Sequence, residues 1–138
     1  MKQFLVVVDD SAAALRAAQL AIDLAAVVGA GLTLVMVVED HLLDARLREA
    51  AIPEPVERRI QGATTMLSRM TARASLRGLR TRQEILTGPG AGAERVLAAA
   101  RHCAADLIVV GHDPGNPVNV GHLVEFADIP VLVVPSLG

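Results

Sequence analysis

Five short strand-like runs, each separated from the next by a stretch of helical periodicity, constrain this chain more than any other feature. Phe4–Val8 (FLVVV), Leu32–Val38 (LTLVMVV), Asp106–Val110 (DLIVV) and Pro130–Val134 (PVLVV) are short, apolar and rich in β-branched residues. They read as strands buried on both faces. Arg80–Leu86 (RTRQEIL) is a more polar strand, expected nearer an edge. Between the first two, Ser11 is placed to cap a helix, and Asp9 and Asp10 suit its positive N-terminal end. Leu15, Ala18, Ile22 and Ala25 repeat at helical spacing and would face the sheet, and Gly29 and Gly31 end the helix. A short helical piece around His41–Ala51 stops at Pro53 and Pro55, and a longer helix is expected from about Val56 to Leu76. Gly62 weakens that helix and Gly78 closes it. Ala93–Cys103 is a further helix, and only about six residues can be helical before the fifth strand.

Such alternation predicts a parallel sheet, wound right-handedly and covered by helices on both faces. Ligands of these sheets sit beyond the carboxyl ends of the strands, where strand order reverses. Two segments are expected at that rim: Asp9–Ser11 after the first strand and Gly111–His122 (GHDPGNPVNVGH) after the fourth. Periodicity alone does not give the strand order.

Composition narrows the class. The 138 residues suit one domain, and with two Phe and no Trp or Tyr the core must be built from Leu, Ile, Val and Ala. A formal charge of -2 gives no push toward nucleic acid or membrane. One cysteine, Cys103, excludes an internal disulfide and a cysteine-rich zinc site and suits a reducing compartment. No apolar run approaches the roughly 20 residues of a membrane span. Met1-Lys2 leads into the first strand without a signal-like apolar region, so a cytoplasmic location is expected.

The segments FLVVVDDSAAALRAAQLAIDLA, LTLVMVVED, GAGAERVLAAARHCAADLIVVG and PVLVVP, taken in that order, resemble a universal stress protein domain over nearly all of residues 1–138. The resemblance implies a flavodoxin-like, Rossmann-like doubly wound sheet of five parallel strands in the order 3-2-1-4-5. It also implies a homodimer joined near the fifth strand. In nucleotide-binding members of the family, Asp9 and Val37 would match residues around adenine, and the phosphates would lie on a loop of pattern G-x2-G-x9-G-[ST] after the fourth strand. Here Gly111, Gly115 and Gly121 give G-x3-G-x5-G, and His122 stands where Ser or Thr would.

Physical chemistry agrees with that departure. A phosphate loop aims backbone N–H groups and a helix N-terminus at the anion. Pro114 and Pro117 have no N–H to give, Asp113 adds a like charge, and no Lys or Arg follows His102. A degenerate site with no cofactor is therefore expected. The alternative is an ATP- or AMP-binding sensor, in which Asp9 and Val37 hold adenine while Gly111, Gly115, Gly121 and the N–H of His122 rearrange around phosphate. A weak nucleotide hydrolase would need Asp113 or His122 as its base.

Other chemistries fit less well. The Asp9-Asp10 pair looks like the first station of a response-regulator receiver, but no Asp ends the third strand and the only lysine is Lys2. A dehalogenase-type phosphatase would need D-x-D rather than adjacent acids. His112, Asp113 and His122 lack the spacing of a metal site. Cys103, late in a helix, is expected to be buried and structural. Arg69, Arg73 and Arg77 line one helix face, read as a solvated surface, with docking of an acidic protein partner as the functional reading. The fifth strand carries more weight. Val131, Leu132, Val133 and Val134 offer no charge to blunt a free edge, so a partner is expected to cover them, most simply a second copy about a twofold axis. The chain reads as a small stress-response binding or regulatory module and not as an enzyme.

Overall fold

The computed structural model describes residues 2–38, 56–88, 90–114 and 118–136. The elements in order are β1 (Gln3–Val7), α1 (Ala12–Val28), β2 (Gly31–Val37), α2 (Val56–Leu76), β3 (Thr81–Leu86), α3 (Gly92–His102), β4 (Leu107–His112), α4 (Val120–Phe126) and β5 (Val131–Pro135). All strand pairs are parallel, and the sheet runs β3-β2-β1-β4-β5. The order reverses between β1 and β4, which makes their carboxyl ends the natural ligand position. The short helical piece expected at 41–51 lies outside the described residues.

Local chemistry accounts for the boundaries. Ser11 adopts extended backbone angles and its hydroxyl accepts from the Ala14 N–H, so α1 is capped as its sequence predicts. Gly29, with φ 74°, ends α1 in the left-handed conformation that favours glycine. Gly31 is not part of that cap; it opens β2, paired with Gln3 of β1. The strand β4 continues two residues beyond its expected end because β5 continues the ladder, pairing Gly111 with Val134 and His112 with Pro135.

Each strand is buried on both faces where helices cover both. Phe4, Val6 and Val8 face α1 and α2 together with Leu32, Leu34, Leu67 and Met70. Leu5 and Val7 face the other way, packing with Val96, Leu97, Ile108, Val110 and Leu123. Alternate residues of β1 therefore serve separate cores, as strand geometry requires. The α1 helix presents Ala13, Ala14, Ala17, Ala18 and Ala21, all buried, and these small side chains let it lie close on the sheet. As the polar pattern of β3 predicts, that strand is an edge, with Arg82, Gln83 and Glu84 exposed. The opposite edge is β5, where Val131, Leu132 and Val133 are half-buried and Val134 is buried.

Candidate functional site

The turn from β1 into α1 is organised by Asp9. Its Oδ1 accepts the Ser11 N–H at 2.6 Å, a short-range Asx turn that delivers the chain into the Ser11 cap. Its Oδ2 is buried and has no hydrogen-bond partner among the described residues. A carboxylate oxygen shielded from water and left without a donor costs free energy, about 1–3 kcal/mol or more for a charged group. Such a group calls for an explanation, and a ligand donor, a water or an ion at that oxygen would each supply one. Val37, at the end of the neighbouring β2, is buried in the core on the α3 side, and the N–H of Val38 donates to the Leu86 carbonyl.

Across β1 from Val37 lies the exit of β4. Gly111 belongs to the strand and not to the loop after it. A Cβ placed on it would meet the Ala13 carbonyl carbon and the Ala14 nitrogen at 2.5 Å. Glycine is required here because α1 crosses β4 at that point, whatever lies at the rim.

The short α4 helix begins with a cap that sequence reasoning missed. Asn119 is its N-cap, and its Oδ1 accepts the His122 N–H at 3.1 Å. The signal was present, since Asn just before an apolar helical stretch is a strong N-cap. The His122 ring turns toward α3, with Nε2 2.6 Å from Glu94 Oε1, and packs against Phe126 at a centroid distance of 4.5 Å. Gly121 lies in the first turn of α4, and Gly115 falls outside the described residues.

Two cations reach the rim from elsewhere in the chain. Arg16, on α1, donates to the Pro135 carbonyl at 2.6 Å and ties the end of β5 to α1. Arg95, on α3, donates to the carbonyls of Gly88 and Gly90 in the turn after β3. Both guanidinium groups thus bind backbone oxygens of the protein itself.

The model of the universal stress protein family matches residues 1–135. The chain belongs to the universal stress protein family. Among curated proteins no sequence matches it. Among solved structures, a universal stress protein family member from Burkholderia pseudomallei is 27% identical, with a TM-score of 0.79 over 98% of this chain and 96% of that one. Universal stress protein UspA from Lactobacillus plantarum is 24% identical, with a TM-score of 0.68 over 96% and 97%. A universal stress protein from Archaeoglobus fulgidus, solved in complex with dAMP, is 18% identical, with a TM-score of 0.74 over 97% and 98%.

In this universal stress protein domain the rim therefore gathers Asp9, Val37 and Gly111 at adjacent strand ends, whereas the His122 side chain leaves for α3. No three His, Cys, Asp or Glu residues converge as metal ligands among the described residues. Cys103 is half-buried rather than buried, because it sits at the C-terminal cap of α3 where the helix leaves the sheet. Of the three arginines expected on one helix face, Arg69 and Arg73 lie exposed on α2, while Arg77 lies just beyond its end and forms a salt bridge with Asp23 of α1 at 2.8 Å. The Arg77 guanidinium holds the Asp23 carboxyl below its usual range. No described helix is long and apolar enough to cross a membrane.

Proposed function

We propose that this universal stress protein is a small stress-response binding and regulatory module whose nucleotide site is degenerate in its phosphate half. One observation carries the reading: the His122 N–H, the amide that follows the last glycine of the loop, is already bonded to Asn119 Oδ1. Two others support it. Gly111 is taken up by the crossing of α1, and Arg16 binds the Pro135 carbonyl rather than standing open to an anion. Polyanion binding needs several converging donors, and the His122 amide and the Arg16 guanidinium are already engaged. A cytoplasmic homodimer joined through Val131–Val134 of β5 completes the proposal, supported by the uncharged apolar edge of that strand.

The second reading, an adenine nucleotide sensor, rests on the partnerless Asp9 Oδ2. An adenine amino group is a donor of the kind that oxygen lacks, and a relative of this fold carries dAMP. Titration calorimetry separates the two. The degenerate site predicts no saturable heat with magnesium ATP up to about 1 mM, a limit of roughly -4 kcal/mol. Micromolar binding that disappears in Asp9→Ala would establish the sensor instead.

A further inference from the structure

The end of the sheet opposite the rim carries a second concave surface. Two adjoining cavities, of about 570 and 270 Å³, share Gln3 and Arg80 in their walls. Lys2 and Arg80 line the larger, and Arg80, Arg82, Thr33 and Cys103 line the smaller. The larger lies within the range of small-molecule sites, about 300–1,000 Å³, and the smaller lies just under it. Parallel register builds the smaller one: Arg82 pairs with Thr33, which pairs with Leu5, so the three share one face of the sheet.

Thr33 is 3% exposed, a buried polar side chain in a core otherwise built of apolar ones. Its Oγ1 accepts from Gln3 Nε2 at 2.6 Å. A hydroxyl that accepts one hydrogen bond can still donate another, here to an oxygen held in the cavity it lines. Neither Arg80 nor Arg82 has an ion-pair partner among the described residues. Backbone N–H groups contribute little. Those of Gly29, Gly31 and Gly78 bond to carbonyls within the protein, so the available donors are side chains.

Opposing charge is present but smaller. The Asp106 carboxylate accepts the Lys2 and Gln3 backbone N–H groups at 2.7 and 3.0 Å. The C-terminal ends of α1, α2 and α3, near Gly29, Gly78 and Cys103, add about half a negative charge each. Three full cations exceed that sum. Glu84, the next residue on the Arg82 face of β3, does not line either cavity.

We propose that this amino-end groove binds a small, multiply charged phosphate compound, with Arg80 and Arg82 as forked donors, Lys2 as a point charge and the Thr33 hydroxyl donating to a phosphate oxygen. The site is separate from the rim and does not depend on the function proposed for it. Inorganic pyrophosphate is the probe, titrated by calorimetry at constant ionic strength against sodium chloride. Saturable heat is expected, weakened about tenfold or more by the double substitution Arg80→Gln and Arg82→Gln. Lys2→Gln, ahead of β1, weakens binding without touching β3, and thermal melting shows that each variant is folded. Asp9→Ala leaves the binding unchanged. The same pyrophosphate slows alkylation of Cys103 by iodoacetamide, which places it in the smaller cavity. Absent heat, heat that survives both the double substitution and Lys2→Gln, or heat lost in Asp9→Ala overturns the proposal.

Discussion

Gly111 of β4 lies directly beneath the Ala13–Ala14 peptide of α1, so close that one added methyl group would overlap the backbone at 2.5 Å. The contact fixes where α1 begins relative to β4, and hence the distance across the rim. Backbone cannot rotate away as a side chain can, so Gly111→Ala must displace the helix. A loss of about 1–3 kcal/mol or more is expected in urea unfolding. Gly62→Ala is its counterpart. That position lies inside α2 with nothing within 4 Å of the added Cβ, so a gain of about 0.5–1 kcal/mol is expected from helix propensity. Equal effects of the two substitutions would contradict the close approach.

Asn119 caps α4 through the His122 N–H. Removing the side chain in Asn119→Ala is expected to cost about 1 kcal/mol. Asn119→Ser and Asn119→Asp should restore most of that loss, because both keep an oxygen at the cap. Amide exchange at His122 gives the sharper readout: it accelerates in the alanine variant and stays slow in the other two.

Asp106 fastens the start of β1 to the turn before β4, and its carboxyl is held below the usual range first by the Lys2 N–H and then by the Gln3 N–H. A carboxylate with a lowered folded-state pKa stabilises the fold fully above its unfolded value of about 3.9. That contribution is lost as pH falls through the lower, folded value. Stability measured from pH 7 down to pH 2 should therefore fall more shallowly on the acid side in Asp106→Ala than in the native protein. Asp23, lowered chiefly by Arg77, acts in the same direction, so Asp23→Ala should flatten the same limb. An acid limb unchanged in both variants would show that neither carboxylate contributes.

The apolar edge of β5 makes association the expected solution state. Sedimentation across a hundredfold range of concentration should give twice the 14.5 kDa chain mass. A constant single-chain mass would leave the edge of β5 bare and remove the dimer from the proposal.

Much of this was legible along the chain. The β-branched runs, the Ser11 cap and the Gly29 stop act over a few residues, so local chemistry was enough to mark strand and helix. The edge position of β3 could be read from its polar composition. That two residues of the loop after β4 have no N–H to offer was also visible, because proline lacks one in any fold. What stayed hidden depended on strand order. Gly111 looked like a loop glycine because its reason lies in α1, and His122 looked available because Asn119 and Glu94 were not yet beside it. Lys2 and Asp106 meet across 104 positions of sequence, and only the β3-β2-β1-β4-β5 order brings them together. Propensity and capping act between neighbours in the chain, and they settled which elements form. Close packing acts between neighbours in space, and it alone decided which glycine is structural, which amide is occupied and which carboxylate oxygen is buried.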